Sequence, residues 1–206
     1  MARSTPQGSP RFVLAAAVLA GLVILGAGVF LALTLREGPR GAAGTGLVTA
    51  IGGPFRLTDQ NGKTVTDVDL KGKWSLIYFG YTHCPDACPS TLFDISEVLG
   101  KLGPDAERVS ALFITIDPER DTPEQLKEYL SNFNPRLTGL TGDPAAITAV
   151  AKEYRVYARK VPTENGDYTM DHTALVYLMD KDGRFVAPFN LKRTPEDAAA
   201  DLRRYL

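Results

Sequence analysis

Residues 73–102, KWSLIYFGYTHCPDACPSTLFDISEVLGKL, contain the passage on which the fold and the chemistry both turn. Lys73 to Gly80 is apolar at nearly every position, the pattern of a strand buried on both faces. From Ser90 to Leu102 apolar residues recur at 92, 95, 98, 99 and 102, a helical period. Between them lie the only two cysteines of the chain, in Cys84-Pro85-Asp86-Ala87-Cys88-Pro89. The pair thus stands where a strand hands over to a helix, at the strand's C-terminal end. Open α/β sheets build their sites there.

Pro89 fits the first helical position, which makes Cys88 the N-cap and leaves Cys84 in the loop before it. Thiols at a helix N-terminus face unpaired N–H groups and the positive end of the dipole, so a lowered pKa is expected. Three readings of the pair compete. An inert disulfide would close a very short loop and stabilise little. A dithiol redox couple is the second, although thioredoxin-type couples have two intervening residues and this pair has three. A peroxidatic cysteine would want Thr three residues before it, where Tyr81 stands. The third reading is a soft-metal site, since two thiolates and an imidazole select Cu(I).

With only two histidines in 206 residues, the imidazole is His83 or His172. His83 adjoins Cys84, which makes joint coordination awkward; it reads as a loop-packing residue. His172 follows Asp171 and opens an expected strand, Thr173 to Met179, at an end of the sheet. Asp171 would orient it or approach the metal. Three strong ligands leave a structural zinc site incomplete but suit a metal that is passed on. Asp117-Pro118-Glu119-Arg120-Asp121-Thr122 reads first as a strand–helix connector with an Arg–Asp pair and a capping Thr, and secondly as a charged rim to the site.

Outward from this centre, an Asn-Gly hairpin is expected at Asn61-Gly62 between residues 54–57 and 64–66. Further strands are expected at Val109–Ile116, 137–140, Val156–Val161 and Phe185–Phe189. Helices should begin at Thr122-Pro123, Asp143-Pro144 and Thr194-Pro195. The order describes an α/β domain with a central mixed sheet and helices on both faces.

Phe12 to Leu35 carries no charge and is long enough to cross ~30 Å of hydrocarbon as a helix. It exceeds the ~7–15 apolar residues of a cleavable signal peptide. The expected organisation is a cytoplasmic segment 1–11, a single-pass transmembrane helix 12–35, a Gly/Ala-rich linker 36–50 and a folded domain 51–206. With the N-terminus inside, the domain lies outside the cytoplasm, where thiols need a dedicated reductant. A net charge of −1 without a basic stripe argues against nucleic-acid binding.

Four segments, YFGYTHCPDACP, ITIDPERDTPEQL, LTGDPAAITAVAKEYRVY and DHTALVYLMDKDGRF, together resemble the Sco/SenC family from about Pro54 to the C-terminus. The resemblance implies a thioredoxin-like fold on an inner-membrane anchor, facing the periplasm or an equivalent space. It implies copper, as Cu(I) and secondly Cu(II), bound by Cys84, Cys88 and His172. The implied partners are the copper site of cytochrome c oxidase subunit II and an extracytoplasmic thiol reductant or copper donor. Family members are also proposed to act as thiol-disulfide reductases or redox sensors. The Cys84/Cys88 couple would carry that alternative.

Overall fold

The structure is a computed structural model and describes residues 51–206. The expected cytoplasmic segment, transmembrane helix and linker lie outside the described residues. Among the described residues no helix is long and apolar enough to cross a membrane.

Seven strands form one mixed sheet: β1 Arg56–Asp59, β2 Thr64–Thr66, β3 Trp74–Gly80, β4 Val109–Thr115, β5 Leu137–Thr141, β8 Val176–Met179 and β9 Phe185–Pro188. Their order is β2-β1-β5-β4-β3-β8-β9. The central β3, β4 and β5 run parallel, and β1 and β8 flank them antiparallel. Strands β6 Ala158–Pro162 and β7 Tyr168–His172 pair only with each other, as a separate antiparallel ribbon.

The parallel core needs crossover helices. These are α1 Ala87–Leu102 between β3 and β4 and α2 Pro123–Leu130 between β4 and β5. Helix α3 Pro144–Glu153 precedes the ribbon, and α4 Pro195–Arg203 closes the chain and packs on α1. Strand alternation sends Tyr78 and Phe79 to opposite faces. Tyr78, Phe113, Tyr129 and Phe133 form one aromatic chain, reaching α2. Phe79, Tyr154, Tyr177 and Phe185 form the other, beside the end of α3. Both faces of the sheet are therefore covered.

Thr122, Asp143 and Thr194 cap their helices, each accepting from the backbone N–H three residues on, with Pro in the first turn. Two expectations change. Helix α1 begins at Ala87, with Asp86 as N-cap, so Cys88 is the second helical residue and Pro89 the third. Pro is tolerated there because that N–H would have no intrahelical partner. The expected strand Thr173–Met179 begins only at Val176, and His172 ends β7 rather than opening β8.

Candidate metal centre

The parallel pairing of β3 with β4 ends at Gly80 beside Thr115, and the chain leaves the sheet there. Gly80 allows a close approach: a Cβ on it would lie 2.9 Å from the Cys88 Sγ and 2.7 Å from the Phe113 ring. The first turn of α1 carries Cys88 back over this point and encloses it completely. Its sulfur is 3.5 Å from the Tyr78 hydroxyl, which donates to it. Cys84 is half-buried in the loop, and its sulfur accepts from the Cys88 backbone N–H at 3.3 Å. Both cysteines are free thiols.

His172 arrives from the ribbon. Its Nδ1 lies 3.0 Å from the Thr173 carbonyl, which can only accept. The proton therefore sits on Nδ1, and Nε2 presents a lone pair. Nε2 is 3.7 Å from the Cys88 Sγ. The edges of Tyr81 and Tyr78 confine the ring, with centroids 5.9 and 6.3 Å away. One ligand atom from each of Cys84, Cys88 and His172 lies within 4.8 Å of the others. Metal–sulfur bonds of ~2.3 Å and metal–nitrogen bonds of ~2.0 Å opened to about 120° hold sulfur and nitrogen ~3.7 Å apart. The Cys88–His172 separation matches that spacing without rearrangement. Two sulfurs and one neutral imidazole form a soft donor set.

The electrostatics differ from the expectation for a helix-terminal thiol. Burial pushes the Cys88 thiol up to about 12, outweighing the Tyr78 hydrogen bond that favours the thiolate. Burial also holds the His172 imidazole below its ordinary value, against the pull of the Thr173 carbonyl and the Asp171 charge. At neutral pH the site is thus uncharged at these two residues, and a cation held by the Cys88 sulfur would have to displace its proton.

The remaining sequence candidates fall outside the donor set. His83 is half-exposed and bonds Thr82 Oγ1 through Nδ1 at 3.1 Å. Asp171 pairs across the ribbon with Arg159 at 2.9 Å, so the Thr173 carbonyl, not this carboxylate, orients His172. Two residues of the connector after β4 matter more than their sequence suggests. Asp121 is fully buried and accepts from Thr82 N at 3.0 Å, Thr82 Oγ1 at 2.6 Å and Thr115 Oγ1 at 2.6 Å. It ties the cysteine loop to the end of β4. Asp117, also fully buried, accepts from the Tyr168 hydroxyl at 2.8 Å.

A family model described as SCO1/SenC matches residues 44–206. The solved structure of Bradyrhizobium japonicum ScoI with copper bound is 72% identical, with a TM-score of 0.75, and covers 76% of this chain and 100% of that one. BsSco, described as a member of the Sco family of cytochrome c oxidase assembly proteins and as having a disulfide switch, is 28% identical, with a TM-score of 0.60, over 76% of this chain and 93% of its own. The mitochondrial SCO1 homolog 1 of Arabidopsis thaliana is 45% identical over 155 residues, which are 75% of this chain and 45% of that protein. The chain spans about half the length of the mitochondrial relatives it matches. The extent of the family match, joined to the likeness in sequence and fold, places this chain in the SCO1/SenC family.

Proposed function

We infer that the chain is a membrane-anchored copper metallochaperone acting in assembly of the copper site of cytochrome c oxidase subunit II. The observation that carries this reading is the convergence of Cys84, Cys88 and His172 within 4.8 Å at the end of a central strand. The copper-bound relative and the oxidase-assembly description of BsSco support the metal and the destination. Residues 12–35, uncharged and long enough to span a bilayer, would tether the domain 51–206 outside the cytoplasm through the linker 36–50. Cys84 and Cys88 supply thiolates, and His172 supplies a lone pair already aimed by the Thr173 carbonyl. Three ligands leave room for an incoming ligand from the receiving protein.

The test is Cu(I) titration of the reduced protein beside Cys84→Ser and His172→Ala. One copper per chain is expected, with strong loss of affinity in both variants. Unchanged tight binding in both would reject the site. In cells, deletion should impair oxidase assembly, and added copper should restore part of it.

A disulfide switch is described for BsSco, and a redox role for the same sulfurs is the alternative reading. Oxidation of the pair to a disulfide, with two electrons passing to an external acceptor, removes two of three ligands and ejects the metal. An enclosed, proton-holding Cys88 weighs against general thiol exchange as the main activity. Dithiol exchange that survives His172→Ala and rescues oxidase assembly without copper binding would reverse that order.

A further inference from the structure

His172 is the last residue of a ribbon that shares no strand pairing with the main sheet. The two sulfurs, in contrast, ride on the β3–α1 junction. The docking of the ribbon, together with the three-residue link from His172 to β8, therefore sets where the imidazole stands relative to the sulfurs.

The docking contacts centre on Tyr168. Its hydroxyl donates to Asp117 Oδ1 at 2.8 Å, and its carbonyl accepts from Arg120 Nη1 at 3.0 Å. Its ring lies 3.8 Å from the guanidinium carbon of Arg120. Arg120 Nε donates to the buried Asp117, and Nη1 also reaches Asp167 Oδ1 at 3.3 Å. One Asp–Arg pair thus holds a single tyrosine by hydroxyl, ring face and backbone. Tyr81 adds a second grip, with its hydroxyl 2.7 Å from Thr169 Oγ1 and 3.3 Å from the Met170 N–H that donates to it. The Lys160–Glu119 pair at the rim is exposed and contributes little.

The arrangement is a poor device for stability alone. Asp117 is fully buried, the Arg120 side chain is 16% exposed, and Arg120 Nη2 is buried with no acceptor among the described residues. A buried ion pair with an orphan donor stabilises less than apolar contact of the same size. A planar fork does, however, fix orientation in a way apolar contact does not.

We propose that Asp117, Arg120 and Tyr168 are positioning residues that clamp the ribbon so that His172 stands over the two sulfurs, setting copper affinity without touching the metal. The inference rests on the copper-site reading above. Its signature is that the clamp acts through His172 and through no other ligand.

The experiment uses the full chain, reduced and solubilised in detergent, with Cu(I) affinity read by competition against a chromophoric chelator. Arg120→Gln and Tyr168→Phe are each made alone and together with His172→Ala. Removing a residue that orients a ligand costs about 10- to 100-fold in affinity. Arg120→Gln should show a loss of that size and Tyr168→Phe a smaller one. Neither should weaken binding further when His172 is already alanine. In the copper-free protein, Arg120→Gln should move the imidazole NMR signals of His172 and leave those of His83 in place. Equal losses in both backgrounds would overturn the clamp while leaving the copper site intact. So would unchanged affinity in both single variants. If His172→Ala alone costs nothing, the site reading falls and the clamp falls with it. Should Arg120→Gln fail to fold, Tyr168→Phe, which removes one hydroxyl, decides the outcome.

Discussion

Around Cys88 the packing leaves no slack. Gly80→Ala would set a methyl group against the Cys88 sulfur and the Phe113 ring. Overpacking of this kind costs ~1–3 kcal/mol, and copper affinity should fall with it because the sulfur must shift. Chemical denaturation beside a copper titration checks both. The two thiols should also differ in reactivity. Cys88 is enclosed and keeps its proton, whereas Cys84 is half-exposed. Iodoacetamide at pH 8 should therefore label Cys84 first, read by peptide mass spectrometry; equal rates would contradict the burial. His172 sets a pH dependence. Its folded-state pKa is lowered by burial, so as pH falls through about 6.5 the unfolded chain takes up a proton before the folded one. The metal-free protein should lose stability across that interval. His172→Ala should flatten this part of the Tm-against-pH curve. At this scale the sequence points to the three residues that converge, but not to their tuning. The group that orients His172 is a backbone carbonyl, which leaves no side-chain signature. Asp121 accepts from Thr82, a partner 39 residues away.

At the scale of elements, legibility followed the strength of the local signal. The apolar runs of β3 and β4 and the Thr-Pro and Asp-Pro helix starts stood out because burial and capping each demand particular residue types. Asp143→Ala should cost about 1 kcal/mol through loss of its bond to Ala146 N. Copper affinity should not change, which makes this variant a control for stability effects. The ribbon was not legible as a pair. Along β6 no residue is buried, and on β7 only Met170 is, so neither strand shows alternation. Its pairing depends on docking contacts from Tyr81 and the connector after β4, distant in sequence. For the same reason β8 begins at Val176, three residues later than the sequence pattern implies.

For the whole molecule, the proposed anchor has a direct test. Deleting residues 1–40 should release the protein from membranes into the soluble fraction and abolish oxidase assembly while leaving one copper per chain. Retention on membranes after deletion would reject the anchor. The mixed sheet was predictable from the order of elements, because parallel strands require crossover helices. The seven-strand order was not, because β1 joins β5 through contacts that only the folded chain creates. Finally, the graded enclosure of the three candidate ligands, from a sealed Cys88 to the half-open Cys84 and His172, would give metal exchange a polarity. A competing thiolate would approach from the open side, so on the proposed copper-site reading Cys84 and His172 would be substituted first and Cys88 last. If these residues hold copper, its departure would be a relay, in which the acceptor bonds before the donor lets go. Extraction by a small thiol chelator should accelerate in proportion to chelator concentration, and a rate independent of it would exclude the relay.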